Sequence, residues 1–154
     1  MDIKLIEIKI EEKNKLEKMI QLYLHDLSSN FLIDFNSEIC EYEYELSSYF
    51  IKNKAFFIKS GENILGFILL DVNPNNNFEL SEMFVLNNYK GKNVGKIAVK
   101  QIFDLHQGNW TIKAVPNSIG AEKFWEKTVK NYTNNKCEIL HTGKYNRAEF
   151  YFNN

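Results

Sequence analysis

The chain has 154 residues, 44% of them hydrophobic and 25% charged, with a formal net charge of −1. That is the make-up of one globular domain, residues 1–154, able to bury a core without disulfides or metals. The near-neutral charge excludes a nucleic-acid backbone as the main partner, and the longest apolar run, Ile64 to Val72, is too short to cross a bilayer.

Cys40 and Cys137 have neither metal nor redox spacing and read as reduced thiols of a cytoplasmic protein. The opening MDIKLIEIKI carries charges at nearly every other place, so it does not read as a signal peptide. Within it, Ile6, Ile8 and Ile10 alternate with Glu7 and Lys9, which predicts a half-buried strand. From Lys13 the period changes: Leu16, Met19, Ile20, Tyr23, Leu24 and Leu27 form one face of an amphipathic helix that stops at Ser28-Ser29-Asn30. The interleaved aromatic and acidic residues that follow predict a loop over Phe31 to Ile39 and a second helix over Glu41 to Phe50.

Ala55–Lys59 and Asn63–Asp71 read as a hairpin joined at Ser60-Gly61-Glu62. The turn Asn73-Pro74-Asn75-Asn76-Asn77 hands the chain to a third antiparallel strand, Phe78–Leu86. Val94, Ala98, Ile102 and Leu105 then mark a helix face, and Trp110, Ile112 and Ala114 a strand; the helix between them makes this strand parallel to Phe78–Leu86. Asn117 or Ser118 caps a helix with Ala121, Phe124, Trp125, Thr128 and Val129 inward. Two strands, Cys137–His141 and Arg147–Phe152, close the chain around a turn at Gly143–Asn146.

The chemistry concentrates in LSEMFVLNNYKGKNVGK, Leu80 to Lys96, where a strand carrying Glu82 runs into a basic glycine loop and a helix start. Unpaired first-turn N–H groups, the positive helix end and glycine permit a phosphate there. A P-loop needs Ser or Thr after Gly-Lys, whereas Ile97 follows Lys96; the dinucleotide fingerprint is also absent. A solvated Lys-Gly-Lys-Asn turn is the plain alternative.

The loop resembles the GNAT superfamily of N-acetyltransferases, whose pyrophosphate loop reads Arg/Gln-x-x-Gly-x-Gly/Ala. Lys90 takes the first place, Asn93 the first glycine and Gly95 the second. Lysine keeps the charge; asparagine tolerates a left-handed backbone better than most residues. The element order βααβββαβαββ extends the resemblance to the whole chain. It implies an α/β (α+β) fold with a mixed, mainly antiparallel central sheet and one parallel strand pair splayed around the cofactor.

The same resemblance implies acetyl-CoA as co-substrate and a primary amine of a small molecule or protein as acceptor, with no metal, no nucleic acid and no membrane; a homodimer stays open. Met83, Phe84 and Val85 would pair their main chain with the pantetheine arm. Lys90, Gly91, Lys92, Asn93, Val94, Gly95 and Lys96 would cradle the pyrophosphate, and Asn117 would meet the cofactor arm or serve only as a cap. An amine of pKa about 10.4 is neutral in only about one molecule in 10³ at pH 7, so a base must take its proton. Glu82 is the candidate, against a solvent-facing or lysine-paired acid; an N–H near Val85 would stabilise the oxyanion. The family's Ala-x-x-Phe-Tyr run is Ala121 to Trp125 here, so the tyrosine acid is missing, and Tyr132 and Tyr145 are its nearest replacements in sequence. A non-catalytic acyl-CoA-binding or interaction domain on the same fold is the alternative. His25, His106 and His141 form neither a zinc motif nor a hydrolase triad; His25-Asp26 is a substrate contact or a polar helix end.

Overall fold

The computed structural model describes residues 1–154. Strand β1 (Lys4–Glu7) leads through a short 3₁₀ turn into helix α1 (Lys13–Leu27). The expected alternation at the start is displaced. Ile3 and Ile8 are buried while Ile6, inside the strand, and Ile10, which opens the turn after the strand ends at Glu7, are exposed. Helix α1 is as its periodicity dictates, with Leu16, Met19, Ile20, Tyr23 and Leu24 buried.

The predicted second helix is not there. β2 (Phe35–Asn36) and β3 (Glu41–Tyr42) form a small antiparallel ribbon, and only Ser47–Phe50 coil, as a 3₁₀ turn. Tyr42 is held extended by Gln21 of α1, whose amide donates to the Tyr42 carbonyl (2.7 Å) and accepts from its N–H (2.9 Å). With both backbone groups of Tyr42 engaged by a side chain, the segment has less to gain from helical bonds.

β4 (Lys54–Ser60), β5 (Asn63–Asn73) and β6 (Asn77–Val85) form the expected antiparallel meander. Their strands read as near-continuous apolar runs because both sheet faces are covered. Phe57, Phe67 and Leu69 join the α1 side, and Phe56, Ile58, Ile68 and Leu70 the opposite side. That opposite side is packed by α2 (Val94–Leu105), which follows β6, and by α3 (Ile119–Thr133). Leu105, expected on the inner face of α2, is exposed at the helix end. β7 (Asn109–Lys113) separates the two helices, and β8 (Glu138–Thr142) and β9 (Arg147–Asn153) follow α3. Ser118 caps α3, its side chain accepting from the Ala121 N–H at 3.1 Å.

The seven strands lie in the order β1-β4-β5-β6-β7-β9-β8, all neighbours antiparallel except the parallel pair β6–β7. Aromatic packing locks this second half together: Phe103 lies 4.7 Å from Trp110 and 4.9 Å from Phe152, ring centroid to centroid. No helix is long and apolar enough to cross a membrane.

Candidate active site

Two irregularities of β6 create the site. Against β5, Leu69 pairs with Glu82 but Leu70 pairs with Leu80, so Ser81 is an extra residue in a β-bulge. Side chains alternate across a strand, so one extra residue exchanges the faces. Phe78 and Leu80 point into the α2–α3 core, whereas beyond the bulge Phe84 joins the α1 core. Glu82, two residues before Phe84, is carried to the α1 side with it. On the other edge, pairing with β7 runs from Asn77↔Asn109 to Leu80↔Ile112 and stops. The β7-facing edge of Ser81–Val85 therefore has no strand partner, and a cleft of about 970 Å³ opens between the diverging strands. Gly66 keeps β5 close at this point: a Cβ there would lie 2.0 Å from the Phe84 carbonyl oxygen.

At one end of the cleft lies the start of α2. Asn93, its N-cap, has φ +61° and ψ +8°, the left-handed conformation that the glycine place of the motif calls for, and Gly91 has φ +75°. Asn93 makes no side-chain capping bond. The first helical bond runs from the Ile97 N–H to the Asn93 carbonyl (3.0 Å), leaving the Val94, Gly95 and Lys96 N–H groups without acceptors in the chain. Gly95 is where the helix meets the cleft wall: a Cβ would be 2.8 Å from Met83 Cε and 3.4 Å from Phe124 Cζ. Of the charged side chains lining the cleft, five are cations (Lys90, Lys96, Lys113, Lys127 and Arg147) and one is an acid, Glu82. In a chain of net charge −1, this is a local concentration suited to an anionic ligand.

Glu82 is held by two hydroxyls. Tyr23 of α1 donates to one carboxylate oxygen, and Tyr44 donates to the other at 3.3 Å. Burial pushes its pKa above the usual carboxylate range; the two tyrosine bonds and the Arg147 charge oppose that, and Asp71 adds to it. Burial and the Glu82 charge in turn drive the Tyr23 and Tyr44 hydroxyls far above the normal phenol range, so both remain protonated donors. A carboxyl fixed in this way, with a raised proton affinity and an edge in the cleft, is equipped to accept a proton.

Of the residues singled out in the sequence, Glu82, Met83, Val85, Lys90, Gly91, Asn93, Val94, Gly95 and Lys96 come together in the cleft lining. The Phe84 side chain packs instead against Tyr23 and Phe67, at 5.7 and 5.9 Å between ring centroids. Lys92 stands over the Tyr89 ring. Asn117, at φ +59°, donates to the Asn30 carbonyl (3.2 Å) and ties the loop before α3 to the end of α1. Lys90 Nζ lies 3.5 Å from Asp26, a second tie to α1, and His25 contacts the Tyr42 hydroxyl. Trp125 lines the cleft, whereas the Tyr132 hydroxyl is spent on Asp104 at 2.9 Å, outside it. Tyr145 lines the cleft and is exposed. Sequence reasoning missed Tyr23 and Tyr44 as partners of Glu82 and missed Arg147. No group of three or more His, Cys, Asp or Glu side chains is placed to hold a metal.

The family model for the acetyltransferase (GNAT) family matches residues 16–129, and the chain belongs to that family. Among solved structures, an acetyltransferase from Thermus thermophilus is similar with a TM-score of 0.73 at 11% identity, covering 100% of this chain and 98% of that one. A spermidine N-acetyltransferase from Vibrio cholerae in complex with CoA and spermine has a TM-score of 0.62 at 13% identity, covering 98% and 95%. A putative streptothricin acetyltransferase from Bacillus anthracis str. Ames, in complex with acetyl coenzyme A, has a TM-score of 0.59 at 17% identity, covering 100% and 99%. At these identities the likeness is one of fold, and it matches the mixed sheet with a single parallel pair described above. No curated protein matches the sequence.

Proposed function

We propose that this protein transfers the acetyl group of acetyl-CoA to a primary amine, with Glu82 as the general base. The observation that carries the reading is that Glu82 is the one carboxylate in a cleft that also holds the free amides of α2 and four lysines. A ligand with a phosphate-rich end and a reactive end fits such a cleft: phosphate at the first turn of α2, the extended arm along the unpaired edge of Met83–Val85, and the acyl group near Glu82. Acetyl-CoA supplies the activated acetyl group, and solved members of this fold have been captured with CoA or acetyl coenzyme A.

Each residue then has a task. The amides of Val94, Gly95 and Lys96, with the Lys90 and Lys96 charges, hold the pyrophosphate. Glu82 takes the proton that the amine must lose as its nitrogen bonds to the acyl carbon and the carbon–sulfur bond breaks; Tyr23 and Tyr44 fix the carboxylate for that step. An N–H near Val85 steadies the developing oxyanion. No tyrosine acid is needed, because a thiol of pKa about 8.5 leaves readily as thiolate. The unpaired Cys40 and Cys137 suit a cytoplasmic setting.

The test is CoA release from acetyl-CoA over a panel of amines, with wild type and Glu82→Gln. Acceptor-dependent release is expected, with kcat lowered about 10²-fold in the variant and acetyl-CoA binding retained. Equal turnover by the two proteins would remove Glu82 from the chemistry. One observation favours a second reading, an acyl-CoA-binding domain: Trp125, at the family's tyrosine place, brings no hydroxyl to the cleft. Firm acetyl-CoA binding with no acetylation of any amine would select it.

A further inference from the structure

The chain has 18 lysines and a single arginine, Arg147. It opens β9, whose Ala148, Phe150 and Phe152 face the α2–α3 core. By alternation Arg147 points to the other face, the side to which the bulge carries Glu82. Arg147 lines the same cleft as Glu82 and Tyr23, and its charge is felt by both. Yet its side chain makes no ion pair and no hydrogen bond within the chain, and its Nε is buried without a partner.

The nearby acids are engaged elsewhere. Glu82 accepts from Tyr23 and Tyr44. Glu149, next on the same face of β9, accepts from Thr142 (2.5 Å) and Tyr151. Arg147 is half-buried, and its guanidinium cannot relieve the burial of Nε by losing a proton; an unpaired buried donor costs free energy until a ligand satisfies it. The planar fork of arginine fits a carboxylate through two parallel bonds, which lysine cannot reproduce.

The phosphate end is served separately, at the α2 N-terminus. Resting on the acetyl-transfer reading above, we propose that Arg147 binds the carboxylate of the acceptor, so that the acceptor is a small molecule carrying both an amine and a carboxylate, an amino acid or a close analogue. The carboxylate anchors on Arg147 while the amine is presented to Glu82. The acceptor class thus follows from the pairing of an unpartnered cation with a fixed base.

The test pairs amino acids with their amides and decarboxylated amines, reading CoA release and, independently of turnover, the melting temperature of the CoA-saturated protein. Wild type is expected to favour the carboxylate form at least about tenfold in kcat/KM, with the matching melting shift. Arg147→Gln and Arg147→Lys should abolish the preference, mainly through KM, while keeping the acetyl-CoA melting shift that reports a folded cleft. Amides or polyamines accepted as well as the acids by wild type would overturn the proposal, whatever the variants do. A preference for succinyl-CoA over acetyl-CoA that disappears in Arg147→Gln would overturn it too, by placing the carboxylate on the acyl donor. Turnover confined to carboxylate-free amines would sink this inference and leave acetyl transfer standing. Specific amino-acid binding without turnover would do the reverse.

Discussion

Asn93 offers the sharpest check on the phosphate loop, because its backbone is left-handed (φ +61°) and its side chain makes no capping bond. Its part in the helix cap therefore lies in its backbone. An L-residue in the left-handed region costs about 1–2 kcal/mol, less for asparagine. Asn93→Ala meets that penalty with no relief and should lose about 1 kcal/mol, or about 2–4 °C in melting temperature for a chain of this size. Asn93→Gly removes the strain but adds about 0.5–1 kcal/mol of unfolded-state entropy, leaving stability nearly unchanged. Asn93→Val, with a β-branched side chain at positive φ, should be the least stable. Thermal melts with and without acetyl-CoA read both effects: the glycine variant should bind as tightly as wild type or more tightly. An alanine variant that melts with wild type would refute the strained cap. A glycine variant weakened tenfold, about 1.4 kcal/mol, would make the asparagine side chain itself a ligand contact.

Gly95→Asp should nearly abolish the acetyl-CoA melting shift, since it adds bulk beside Met83 Cε and Phe124 and a negative charge at the free amides; an unchanged shift would remove the loop from the site. Burial raises the Glu82 pKa, so the folded state binds the extra proton and stability declines as pH climbs from the ordinary carboxylate pKa through the raised one. Glu82→Gln lacks that slope, and its melting temperature relative to wild type should rise as pH climbs above the ordinary carboxylate range, where a flat difference would contradict the buried carboxyl. Tyr132→Phe should leave the pH–rate profile unchanged, because its hydroxyl is bound to Asp104 outside the cleft. A basic limb that vanished in that variant would name it as the acid after all.

What the sequence made legible was whatever obeys a period or a motif. Leu16 through Leu24 and Val94 through Ile102 declared their helices, and Lys90–Lys96 declared the loop with its left-handed Asn93. Segments settled by distant partners were not legible. Glu41-Tyr42 is extended because Gln21, on α1, takes both backbone groups of Tyr42. The Ser81 bulge leaves a trace only as a break in the alternation after Leu80, yet it decides which face Glu82 joins. Tyr23 and Tyr44 reach Glu82 from 59 and 38 residues away, with no spacing rule to join them. Arg147 did carry a signal, as the single arginine in a lysine-rich chain.

A crystal structure of the protein with acetyl-CoA tests the central claim most directly. The account predicts pyrophosphate oxygens within about 2.7–3.2 Å of the Gly95 or Lys96 N–H, pantetheine alongside the main chain of Met83–Val85, and the thioester beside Glu82. A cofactor bound away from the β6–β7 cleft, or a thioester remote from the Glu82 carboxylate, would contradict it.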